Sequence, residues 1–143
     1  MKIRKGIKKD INQILKLLNS DKNLVGDDNI KFPSYYVESF LNSPVRKLFV
    51  AEEDKKIIGV ICVVFLKYAK QMYMEELVVD KNYRRKGIAT ALMKHSEELA
   101  KKSGIRFAFG FSEVENKQTH KLLGKLNYKK GKKFFFFGKG LGK

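Results

Sequence analysis

Apolar residues recur along this chain with two periods, and the switches between them divide it into elements. Met1 to Ile7 alternates roughly and predicts a first strand. Asp10 is a candidate N-cap for a helix to about Asn19, with Ile11, Ile14, Leu15 and Leu18 on one face. Residues 21–30 are polar and hold Gly26, Asp27, Asp28 and Asn29, which predicts a loop. Pro33 suits the first turn of a second helix, about Ser34 to Leu41, which Ser43-Pro44 ends. Lys47 to Glu53 predicts a strand, Asp54-Lys55-Lys56 a turn, and Ile57 to Leu66 a central strand, apolar on both faces. Gln71 to Asp80 is the next strand. A long helix from about Gly87 carries Ile88, Ala91, Leu92, Met93 and Leu99, and Ser103-Gly104 stops it. Ile105 to Phe111 reads as a fifth strand and Glu115 to Leu126 as a helix. Tyr128 to Gly138 reads as a closing hairpin, with alternate rings of Phe134 to Phe137 packed inward. The order is β-α-α-β-β-β-α-β-α-β-β, a mixed α/β sheet with helices on its faces.

Composition narrows this picture in a few places. At 143 residues, with no repeat and no linker, one domain over 1–143 is expected. The single cysteine, Cys62, excludes an intramolecular disulfide framework and a multi-cysteine zinc site, and favours a reducing, cytoplasmic setting. Two histidines and scattered carboxylates show no metal-ligand spacing. No signal-like apolar core follows the basic Met1 to Lys9, and the longest apolar run, Ile57 to Leu66, is too short to span a bilayer. The formal net charge of +16 predicts attraction to anions, whether phosphates, acidic protein segments, nucleic acid or a ribosome surface. Lysines spread along the whole chain account for much of it, so charge alone does not name the partner.

The chemistry concentrates in Met74 to Ala100, a strand that enters a helix through a turn holding Lys81, Arg84, Arg85 and Lys86. The first amides of a helix have no internal partner and the helix dipole places partial positive charge there. A phosphate is the natural ligand, and Gly87 lets the backbone approach it closely. The turn Arg84-Arg85-Lys86-Gly87-Ile88-Ala89 fits Arg/Gln-x-x-Gly-x-Gly/Ala, follows Leu-Val-Val-Asp at 77–80 and precedes an amphipathic helix. In this the chain resembles the GNAT superfamily of acetyl-CoA-dependent N-acetyltransferases. The resemblance extends over nearly the whole chain: Arg4 and Asp10 match the opening pattern of the family, and Ala51 with Ile57-Ile58-Gly59 matches its second and third strands.

The resemblance implies a mixed sheet of about seven strands with about four helices, binding acetyl-CoA as acyl donor and transferring acetyl directly to a primary amine. It assigns the pyrophosphate to Arg84, Arg85, Lys86, Gly87, Ile88, Ala89 and Thr90, and the pantetheine arm to a bulged Leu77, Val78 and Val79 and to Asn116. Asn116 reads equally as a helix N-cap. Glu75 and Glu76 are the candidate bases, for an amine is largely protonated near neutral pH. Successive strand residues face opposite sides, so without a bulge only one faces the cleft, and Glu75 is the choice by family position, with Tyr73 on its face. Where the family carries its general-acid tyrosine this chain has Leu123, which leaves His120, Tyr128 or water for that role. His95 reads as a helix residue packed on the sheet and Cys62 as an inert core thiol. Asp27, Asp28, Tyr35 and Tyr36 are candidates to hold the acceptor, a protein N-terminus, a lysine or a small-molecule amine. Aminoglycosides and polyamines fit the basic surface poorly. The alternative function is a non-catalytic acyl-CoA-binding or basic nucleic-acid or ribosome-binding module, with no membrane partner, as a monomer or homodimer.

Overall fold

A computed structural model of the chain describes residues 1–22 and 30–143. These fall into two units, Met1–Phe111 and Ser112–Lys143, each described by itself.

The first unit is built on one five-stranded sheet in the order β1-β2-β3-β4-β5. Its strands are β1 (Lys2–Lys5), β2 (Arg46–Glu53), β3 (Lys56–Leu66), β4 (Gln71–Val79) and β5 (Phe107–Gly110). The first four are antiparallel neighbours, and β5 joins β4 in parallel. The β2–β3 hairpin turns through Asp54 and Lys55, both with positive φ, as the twist of paired strands requires of a two-residue turn. Asn19 at the end of α1 (Ile11–Ser20) clamps the Phe32 peptide, accepting from its N–H at 2.7 Å and donating to its carbonyl at 3.2 Å.

One face of the sheet is covered by α1 and α2 (Ser34–Leu41). Ile14, Leu18, Val37 and Phe40 close on Leu48, Val50, Val60, Cys62 and Val78 there. The other face carries α3 (Ile88–Lys102), packed on β2, β3 and β4. Gly59 makes this approach close: a Cβ there would meet Ile88 Cγ2 at 3.0 Å and Leu92 Cδ1 at 3.1 Å. Asp10 sits just before α1 without capping it, because its carboxylate is drawn back to Arg4 and to the Ile7 amide. Arg4 forks onto Asp10 at 2.7 and 3.0 Å and reaches Glu52 at 2.7 Å, tying β1, β2 and the start of α1 together.

The second unit holds α4 (Lys117–Lys125). The expected closing hairpin does not form: residues 126–143 contain no strand, and Phe134 to Phe137 are 73–95% exposed. Five strands therefore stand where about seven were expected. Four consecutive aromatics lack the alternation that assigns one face to a core, and the lysines on either side favour water.

Candidate active site

The register between β3 and β4 shifts at one point. Cys62 faces Glu76 and Val63 faces Met74, so Glu75 is an extra residue on β4, a bulge. The bulge lies at Glu75, two residues before the expected Leu77, Val78 and Val79. It also changes which side chains face the cleft. Glu76 stands opposite Cys62, on the face covered by α1 and α2. Glu75 reaches that same face, accepting a hydrogen bond from the Tyr36 hydroxyl on α2 at 3.2 Å. Strict alternation would have separated the two carboxylates; one inserted residue brings both to one side.

The two acids differ in their surroundings. Arg46 Nη2 lies 3.0 Å from Glu75 Oε2, with its guanidinium 3.9 Å over the Phe40 ring. Glu76 has no ion pair among the described residues. Burial, then the charges of Glu75 and Asp21, push its carboxyl up to about 7. Burial first, then Cys62, Glu75 and Glu76, raises the Tyr36 phenol, so its hydroxyl stays a donor. Tyr73 on β4 stacks on Phe109 of β5 with ring centroids 5.3 Å apart. Tyr35 is 73% exposed, and Asp27 and Asp28 lie outside the described residues.

Beyond the bulge β4 and β5 part. Their pairing runs from Gln71 with Phe107 to Met74 with Gly110 and goes no further. From Glu75 to Val79, β4 is laddered to β3 alone, which leaves its other backbone edge open. Val78 buries its side chain in the core at 3% exposure, so its backbone is what that edge offers. An open strand edge pairs with an extended amide-bearing ligand as it would with another strand.

That edge runs straight into the basic turn. Arg84 donates from Nε to the Val79 carbonyl at 3.2 Å, fastening the turn to the strand end, and its Nη2 stands 3.8 Å from Asp21. Arg85 adopts φ 62° and Gly87 φ 78°, and the first helical bond of α3 is Ala91 N–H to the Gly87 carbonyl. The amides of Arg85, Lys86, Gly87, Ile88, Ala89 and Thr90 thus have no protein acceptor among the described residues. Nothing lies within 4 Å of a Cβ built on Gly87, so the space before these amides is open. Ile88 anchors the helix below, at 4% exposure. Unpartnered amides, a helix N-terminus, four cations and open space fit a pyrophosphate.

The remaining candidates have structural roles. Cys62 is fully buried, and burial followed by the charges of Glu76 and Glu75 raises its thiol well above the usual range, which removes it as a nucleophile. His95 packs edge-on against Phe49 at 4.9 Å. In the second unit, Asn116 caps α4 by accepting from the Thr119 amide at 3.2 Å. His120 Nε2 donates to the Glu113 carbonyl at 2.9 Å, so in the neutral ring Nδ1 carries no proton to give. No group of metal-ligating side chains occurs among the described residues, and none of their helices is long and apolar enough to cross a membrane.

The sequence model of the acetyltransferase (GNAT) family matches residues 11–128. Among solved structures, an aminoglycoside acetyltransferase, meta-AAC0020, from an uncultured soil metagenomic sample, in complex with sisomicin, superposes with a TM-score of 0.78 at 20% identity, over 99% of this chain and 96% of that one. The structure of AAC(6')-Iy with a bisubstrate analogue, CoA-S-monomethyl-acetylneamine, gives 0.81 at 18% identity, over 97% of both chains. A transcriptional regulator from Bacillus halodurans C-125 gives 0.78 at 21% identity, over 94% of this chain and 99% of that one. At these identities the three structures share the fold.

Proposed function

This chain belongs to the acetyltransferase (GNAT) family and is an acetyl-CoA-dependent N-acetyltransferase; we propose that its acceptor is a cationic primary amine and that Glu76 is the base that deprotonates it. The observation that carries this reading is the bulge at Glu75, which sets two carboxylates and Tyr36 on one face of β4, beside the edge that leads to the phosphate turn. On this reading the amides of Arg85 to Thr90 hold the pyrophosphate and the β4 edge at Leu77, Val78 and Val79 orients the pantetheine arm. Asn116 is a further contact to that arm by family position. The family match spans both units, which supports one N-acetyltransferase domain over 1–143.

The thioester supplies the activated acetyl group. Glu76 takes a proton from the ammonium, and the freed amine attacks the thioester carbonyl, forming a C–N bond as the C–S bond breaks. The thiolate leaves without a protein acid at position 123, where this chain has leucine; the nitrogen sheds its second proton to water and the thiolate takes one from water, so the products are the amide and the free thiol. Glu75, compensated by Arg46, and Tyr36 position the incoming cation. Despite a formal net charge of +16, the charge left without an ion pair at this site among the described residues is the Glu76 carboxylate, and the local field decides whether a cation binds. The aminoglycoside acetyltransferases among its structural neighbours support a small polycationic amine over a protein N-terminus.

The test is thiol release from acetyl-CoA against a panel of aminoglycosides, polyamines and peptide N-termini, with calorimetric titration of acetyl-CoA beside it. Saturable one-to-one binding with turnover on a cationic amine supports the proposal. Turnover on neutral peptides alone would overturn the acceptor class, and no binding would overturn the phosphate site.

A further inference from the structure

A hollow of about 390 Å³ opens on the face of the sheet opposite Glu75 and Glu76, where the C-terminal half of α3 crosses β1, β2 and β3. Its floor is Phe49, Phe65 and Leu99, and its basic residues are Lys5, Lys47 and His95. The pattern follows from the elements. Lys47 and Phe49 lie two apart on β2, and His95 and Leu99 four apart on α3, so each pair shares a face turned to the cavity. Arg4 and Ser103 complete the lining, but the Arg4 guanidinium is taken by Asp10 and Glu52.

No carboxylate lines this cavity among the described residues. Lys47 makes no ion pair among those residues, and its Nζ lies 5.9 Å over the Phe65 ring. Burial, then the like charges of Lys5 and Lys67, lowers its pKa, so its charge is held at a cost that a bound anion would offset. The hollow is half open to solvent, with an apolar floor and lysines beside it, and its volume lies within the range of about 300–1,000 Å³ of small-ligand pockets.

We propose that this cavity is a second binding site, separate from the transfer site, for a small amphipathic carboxylate. The carboxylate sits between Lys5 and Lys47, and the apolar part lies against Phe49, Phe65 and Leu99. The test is calorimetry of the full chain with octanoate, with 1-octanol as the neutral analogue. Octanoate is expected to bind saturably and at least about tenfold tighter than octanol. Lys47→Glu should weaken octanoate by about tenfold or more, and acetyl-CoA at saturation should change its affinity by less than about twofold. Lys5→Glu, at an exposed strand position, should give a loss in the same direction and serves if Lys47→Glu does not fold. Absence of binding, equal binding of octanol, indifference to both charge reversals, or displacement by acetyl-CoA would each overturn the proposal.

Discussion

Arg46 Nη2 stands 3.0 Å from Glu75 Oε2, while the next residue, Glu76, shares the face but has no ion pair among the described residues. The two adjacent carboxylates thereby differ in state: one charge is compensated, and the other stands where burial and its neighbour raise its pKa.

Replacing the proposed base should stop the chemistry and spare the cofactor. Glu76→Gln is expected to lower kcat by about 10²–10⁴-fold with acetyl-CoA affinity unchanged. Steady-state kinetics and calorimetry on the same preparation check this, and a full rate in the variant would remove Glu76 from the role.

The pH dependence follows from the same carboxyl. A base must be deprotonated, so kcat/KM should rise with pH through about 7, the value to which Glu76 is pushed. Glu75→Gln removes the neighbouring charge and should move this acid limb to lower pH. Arg46→Met leaves both carboxylates without a cation and should move it higher. Limbs that coincide in all three proteins would refute the division of labour.

Stability should run the other way. The folded-state pKa of Glu76 is raised above its ordinary value of 4.5. Its contribution is therefore fully present below the unfolded pKa and is lost as the pH rises through about 7. Glu76→Gln should accordingly raise Tm relative to the parent more at pH 8 than at pH 5, which thermal melts at the two pH values can read.

Gly87→Glu should abolish acetyl-CoA binding in a folded protein. Its φ of 78° makes any side chain strained, by about 1–2 kcal/mol, but nothing lies within 4 Å of the added Cβ. The carboxylate enters the space before the turn amides and repels phosphate. Calorimetry with acetyl-CoA and a far-ultraviolet spectrum decide it, and unchanged affinity would dismiss the pyrophosphate assignment.

Asp10→Asn should destabilise the first unit by about 1–3 kcal/mol, since the part-buried Arg4 fork loses one charged partner and keeps Glu52. Burial opposes the Asp10 charge, but Arg4 and the Ile7 amide hold its carboxyl below the usual range. Its stabilisation is thus present above the unfolded carboxylate's value and lost as the pH falls through the lower folded one. Denaturant melts should show the difference between parent and variant shrinking as the medium is acidified.

What the sequence determined by itself is what depends on local pattern. Period and turn chemistry placed the described helices and strands of the first unit within a few residues, the helix read at about Ser34 to Leu41 among them. The turn at Arg84 to Ala89 was legible because a helix N-terminus, a glycine of positive φ and clustered cations are all properties of adjacent residues. The hairpin read into Tyr128 to Gly138 failed because propensity makes no strand without a ladder partner and a face to bury. The placing of Glu75 and Glu76 on one face was decided only in three dimensions. Alternation assigned Glu75 and Glu76 to opposite faces, and the register shift between Cys62 and Val63 put them on one. Arg46 carried no signal at all, since its role rests on Phe40 and Glu75, which the chain brings to it only by folding. A bulge is a mismatch between two strands, so one strand's pattern cannot contain it; the carboxyl of Glu76 takes its basicity from that mismatch and from the burial around it.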